Sequence, residues 1–213
     1  MCFCAPVSFV ASAALGAAGV GSLRKASRRE RMLASIPVLF AIQQFIEGLQ
    51  WLAPKPSLVS TALGYGFLLF AYLIWPTYIP VAIYRAEHDP KRRRYLRGLI
   101  GLGLVTSSYL FVVLLLIPLT ISVHTHSIYY QVDAFHLNAP TAWMGVFVYI
   151  FVISASFLAS SSRFLRWFGV AALVSAFVAW QLNESTFTSV WCFFAAALSG
   201  LIYFHFKRPA KNV

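Results

Sequence analysis

Ile42-Gln43-Gln44-Phe45-Ile46-Glu47-Gly48-Leu49-Gln50-Trp51 sets one carboxyl and three carboxamides inside a segment, Met32 to Leu52, that is otherwise apolar. A run of about 20 such residues matches the ~30 Å hydrocarbon core of a bilayer. An ionisable side chain at that depth costs from about 2.5 kcal/mol upward unless it is partnered. Gln43, Glu47 and Gln50 recur at i, i+4 and i+7, so they share one helix face. That face must look into protein or water rather than lipid, and the segment therefore reads as one helix of a bundle.

The rest of the 213 residues agrees. Hydrophobic residues make up 60% and charged residues 11%, and the mean hydropathy of +0.74 belongs to the membrane class. The apolar residues fall in blocks at about 5–23, 32–52, 58–84, 98–119, 140–160, 165–182 and 186–206. Each block has to be helical, because an open strand would leave backbone groups unpaired in lipid. The expected fold is an all-α integral membrane bundle of seven transmembrane helices forming a single domain, 1–213.

The formal charge of +11 is distributed in a way that orients the bundle. Of the 17 lysines and arginines, all but Lys55 lie after the first, third, fifth or seventh block, on alternate connections. The positive-inside rule then puts the amino terminus outside and the carboxyl terminus in the cytoplasm. Basic runs placed this way are topology determinants that attract anionic lipid, and no nucleic-acid role is expected. The first block carries no basic residue ahead of it, so it reads as an anchor rather than a cleavable signal.

Several local features predict structure. Ser8, Ser12 and Gly16 give the first helix a small-residue face that admits a close neighbour. Trp75-Pro76-Thr77 with Pro80 predicts a kink in the third. Thr106, Ser107 and Ser108 form a mid-helix hydroxyl belt that back-bonding to carbonyls can satisfy. Ser122 to Pro140 reads as the longest outer loop, with His124, His126, His136 and Asp133 and no basic residue.

With this topology Glu47 sits about five residues, roughly 7–8 Å, from the outer end of its helix. Gln50, Trp51, Trp191, Cys192 and the histidine-bearing loop map to the same side. The predicted site is an outer-facing polar vestibule that binds or translocates a small ligand or ion. Glu47 is its ionisable centre, Gln43 and Gln50 are orienting amides, and Trp51 and Trp191 are walls. Against this stands the reading in which Glu47 only locks helices together. An acid is a costly choice for a task an amide performs.

A second functional reading is a membrane-embedded metal-assisted enzyme. His124, His126 and His136, with Cys2 or Cys4, offer nitrogen and sulfur ligands for Zn or Cu. The third is an accessory subunit of a homo-oligomer or larger membrane complex, docking through the small face of the first helix. A retinal Schiff base is excluded because Lys25, Lys55, Lys91, Lys207 and Lys211 all lie in loops or at span ends. The Cys-x-x-Cys-His motif of c-type haem attachment is absent. Cys2, Cys4 and Cys192 all map outside, as free thiols or with Cys192 as a disulfide partner.

Three motifs carry a resemblance: the opening Met1-Cys2-Phe3-Cys4-Ala5-Pro6-Val7-Ser8-Phe9, the Ile42–Trp51 stretch, and Thr188-Ser189-Val190-Trp191-Cys192-Phe193-Phe194-Ala195-Ala196. Together they resemble an uncharacterised family of small polytopic bacterial membrane proteins that begin Met-Cys-Phe-Ser-Ala. This chain has Cys4 where that start has serine. The resemblance implies a multi-pass protein of the bacterial inner membrane and carries no activity.

Overall fold

The computed structural model describes residues 4–124, 127–132, 139–182 and 186–207. The helices are α1 (Ala5–Leu23), α2 (Arg31–Leu52), α3 (Leu58–Ala86), α4 (Pro90–Leu116), α5 (Ala139–Leu158), α6 (Arg163–Leu182) and α7 (Phe187–Lys207). Among the described residues one hairpin, β1 (Leu119–His124) and β2 (Ser127–Val132), lies between α4 and α5 and all other regular elements are helices. Among the described residues α1, α2, α3, α4, α6 and α7 are long and apolar enough to cross a membrane, which makes this a multi-pass membrane protein. α5 is 20 residues long, and its described apolar part runs from Met144 to Leu158.

α2 is the central helix. More than half of its apolar stretch is buried, a larger share than in any other of these six helices. Its closest partner is α1, and the small residues of α1 explain why. Ser12 Oγ donates to the Ala41 carbonyl at 2.8 Å. A Cβ on Gly19 would run into the backbone of Val38, and one on Gly48 of α2 would enter the ring of Phe9. The small-residue face thus seats a helix of the same chain.

α3 departs from regular α-helix ahead of its prolines, in a form the sequence did not specify. Residues Leu69–Ile74, just ahead of Trp75-Pro76, form a turn of π-helix. Proline lacks an N–H, and the wider turn absorbs the register error that its ring imposes. The Leu73 carbonyl accepts from Ser107 Oγ of α4 at 3.0 Å, and Ser107 in turn lies 2.9 Å from Thr77 Oγ1. Of the hydroxyl belt, Thr106 back-bonds to Leu102 at 2.8 Å as expected, whereas Ser107 ties two helices together. Gly103 lets α4 approach the Pro76 carbonyl, which any Cβ there would strike.

Two boundaries differ from the sequence expectation. α4 begins at Pro90 rather than near 98, because Asp89 caps it: its Oδ1 accepts the backbone N–H of Lys91 at 2.8 Å and of Arg92 at 3.4 Å. α4 ends at Leu116, before Pro118, and the segment expected as a loop from Ser122 begins instead as the hairpin. Its strands are antiparallel, with Leu119 opposite Val132 and His124 opposite Ser127. The hairpin packs onto the bundle, where Leu119, Ile128 and Tyr130 join a buried cluster with Phe67, Leu68 and Cys192. Tyr130 stacks on Phe67 at 4.6 Å between centroids, and Gly64 leaves room for Ile121. The opposite end of the bundle carries the basic connections. There Arg92 Nη1 donates to the carbonyls of Ala159 and Ser160, and Lys25 lies over the ring of Tyr203.

Candidate functional site

The polar residues in the second half of α2 are buried: Gln43, Gln44 and Gln50 are 0% exposed and Glu47 is 3% exposed. Their partners differ. Glu47 Oε1 accepts from Ser189 Oγ of α7 at 2.5 Å, and Oε2 accepts from Gln44 Nε2 at 3.0 Å. Gln43 Oε1 accepts from Trp75 Nε1 of α3 at 2.8 Å, while its Nε2 donates to Cys192 Sγ of α7 at 3.5 Å. Gln50 Nε2 donates to Ser60 Oγ of α3 at 2.7 Å. One turn after another, α2 is thus bonded to the two helices that flank it.

The electrostatics of the cluster are unbalanced. Among the described residues no lysine, arginine or histidine pairs with Glu47, and the ion pair found there is Arg92 with Asp89 at the basic end. Lys55, a lysine at the hairpin end, is spent elsewhere. Its Nζ donates to the carbonyls of Gln50 at 2.7 Å and Ala53 at 3.3 Å, closing the carboxyl end of α2. Partial burial holds that ammonium below the usual lysine range.

The hydrogen bonding is also incomplete. Gln44 Oε1, Gln50 Oε1, Trp51 Nε1 and Tyr130 OH are buried with no partner. Native proteins leave few such atoms, each costing about 1–3 kcal/mol, and bound water or ligand is a usual explanation. These four include acceptors and donors. Three sit on α2 within a few residues of Glu47, and the fourth is presented by β2, which covers this end of the bundle.

Four of the five ligand-binding candidates, Gln43, Glu47, Gln50 and Trp51, lie along the carboxyl-terminal half of α2, with Gln43 on Trp75 and Cys192, Glu47 on Ser189 and Gln50 on Ser60. Trp51 packs against the hairpin cluster. Trp191 is placed differently: its Nε1 donates toward Ser175 Oγ of α6 at 3.2 Å, and it stacks on Phe187. It lines an apolar cavity of about 40 Å³ deeper in the core, shared with Trp75, Tyr149 and Cys192. Gln44 and Ser189 were the residues missed as ligands of Glu47. The i, i+3 spacing of Gln44 and Glu47 was the available signal. Nothing in the sequence pairs position 47 with position 189.

Of the metal candidates, His124 lies at the end of β1, and Cys4 is a free, half-buried thiol at the start of α1. Cys2, His126 and His136 lie outside the described residues. Among the described residues no group of three histidine, cysteine or acidic side chains converges on a point. Cys192 is a free, buried thiol held by Gln43.

No curated protein and no solved structure matches this chain. A family model does, across residues 1–213, and the chain belongs to the family of unknown function DUF6629.

Proposed function

We propose that the chain is a seven-span membrane protein that binds and moves a small ion or polar ligand through the Glu47 cluster, with its amino terminus outside and its carboxyl terminus in the cytoplasm. The orientation rests on the alternation of basic connections. α5 counts as the remaining span on its length of 20 residues. The observation that carries the binding reading is a buried carboxyl with no cation paired to it among the described residues, on a helix that also carries two buried, unpartnered amide oxygens, Gln44 Oε1 and Gln50 Oε1. One negative charge among neutral oxygens suits a monovalent cation, the proton included. Helix-locking alone accounts for the bonds to Ser189 and Gln44. It leaves Gln44 Oε1, Gln50 Oε1 and Tyr130 OH unexplained.

The test is thermal unfolding of the purified protein in NaCl, KCl and choline chloride at equal ionic strength across a pH series, for wild type and Glu47→Gln. A ligand that binds the folded state alone raises the midpoint by mass action. The expected result is stabilisation by one cation, or by a pH step, in wild type and not in the variant. The same variant should abolish the matching flux in proteoliposomes. Identical responses of the two proteins in every condition, with no flux from either, overturn the proposal.

A further inference from the structure

At the basic end, α4 and α5 leave between them an open groove of about 640 Å³, well away from Glu47. Its mouth is formed by Lys91, Arg92 and Tyr95 of α4, and its floor by Phe151, Ala155 and Leu158 of α5. The two parts differ in depth. α4 has 27 residues, so at ~1.5 Å each it is about 40 Å long and exceeds the hydrocarbon core by roughly two turns. Its 18-residue apolar stretch cannot include the run Lys91 to Arg94, which places that run at the level of lipid headgroups. Along α5, Phe151 lies seven residues before Leu158, about 10 Å deeper into the apolar region.

The mouth carries excess positive charge in a fixed arrangement. Arg92 is pinned by the Ala159 and Ser160 carbonyls, which accept from its Nη1 at 2.9 and 3.0 Å. Those bonds hold the guanidinium, whose Nε also lies 3.8 Å from Asp89 Oδ2, so that Lys91 and Arg92 against Asp89 leave the mouth with a net excess of one positive charge. Asp89 is the acid in the lining, and its Oδ1 is engaged by the backbone N–H groups of Lys91 and Arg92. Arg93 is drawn aside over the ring of Tyr84, at 4.4 Å. Lys91 is exposed and has no acidic partner of its own among the described residues. The floor is apolar and open to the surroundings, with Phe151 50% and Leu158 37% exposed.

A cationic mouth at headgroup depth, continuous with an apolar lane running inward, has the polarity profile of a phospholipid. We infer that the α4–α5 groove is a binding site for one anionic phospholipid. Its phosphate lies against Lys91 and Arg92, its glycerol region at Tyr95, and one acyl chain along Leu158, Ala155 and Phe151. This goes beyond the general attraction of basic loops to anionic membrane, because it names a single site with a head and a lane.

The test is native mass spectrometry of the detergent-solubilised protein titrated with phosphatidylglycerol and with phosphatidylcholine of the same chains. The expected result is one tightly held phosphatidylglycerol per chain, with weaker phosphatidylcholine. Lys91→Ala should weaken it about fivefold, the factor that one lysine carries at an anionic lipid surface. Arg29→Ala removes an equal charge from an exposed position outside the groove and should leave the affinity unchanged. Leu158→Trp fills the lane and should abolish the tight site, and Phe151→Ala is a second lane variant that should weaken it should the tryptophan disturb folding. Equal losses in Lys91→Ala and Arg29→Ala would reduce the effect to diffuse electrostatics and overturn the site. So would lane variants without effect, or full displacement by glycerol 3-phosphate, either of which indicates a phosphate site with no use for the chain.

Discussion

Replacing Glu47 separates the contribution of the carboxyl to folding from its contribution to binding. In Glu47→Gln the new side-chain oxygen still accepts from Ser189, and the new amide N–H₂ faces Gln44. Rotating the Gln44 amide brings its unpartnered Oε1 round to accept from that group, so both bonds survive, and the Gln44 N–H₂ takes the place of its oxygen as the group without a partner. The expected change in stability is under about 1 kcal/mol. Glu47→Leu has similar volume but strands the Ser189 hydroxyl and the Gln44 N–H₂. Two stranded groups cost between about 1 kcal/mol, at the ~0.6 kcal/mol average for bonds inside membrane proteins, and about 4 kcal/mol at soluble-protein values. The assay is reversible unfolding in mixed dodecyl sulfate and mild detergent micelles, comparing both variants with wild type. A Glu47→Gln protein as unstable as Glu47→Leu would refute the reasoning, because it would mean that the charge itself holds the fold. A stable Glu47→Gln protein that no longer responds to cations or pH assigns the acid to function.

Two further outcomes can be checked by the same unfolding assay. Three glycines of α4 should respond oppositely to alanine: Gly98 and Gly101 have open space where a Cβ would go, whereas at Gly103 it would strike the Pro76 carbonyl. Gly103→Ala is expected to cost about 1–3 kcal/mol, and the other two to be neutral or stabilising. At the basic end, burial by itself would raise the Glu87 carboxyl. The N–H groups of Asp89, Ser161 and His88 outweigh that and hold it below the usual value of 4.5. A depressed acid stabilises the folded state above its unfolded value and loses that contribution as pH falls through the folded one. Stability should therefore drop below about pH 4.5, and Glu87→Gln should flatten that acid limb while lowering stability at neutral pH.

Six of the apolar helices, the wide buried face of α2 and the disturbance of α3 ahead of its prolines were legible in the sequence, because each depends on residues close together in the chain. Twenty apolar residues need a helix wherever they are, Gln43, Glu47 and Gln50 share a side by helix geometry alone, and Pro76 and Pro80 disrupt their own preceding turn. The small residues of α1 announced a close neighbour. Their neighbour, α2, emerged only from packing. What tertiary structure alone decided is which groups meet. Ser189 reaches Glu47 across 142 positions of sequence, and Cys192 reaches Gln43 across 149. Trp191 turns toward α6, although its neighbour Cys192 turns toward α2, and the rotation of α7 that sets this depends on every helix packed around it. Ser122 to Pro140 read as an outer loop because its alternation is short and its turn signals are weak, whereas Leu119 to Val132 forms the hairpin. Only the presence of Phe67, Gly64 and Cys192 beneath it makes a hairpin the state that buries Ile128 and Tyr130. Apolar length is a local property of the chain, and the identity of a partner is not.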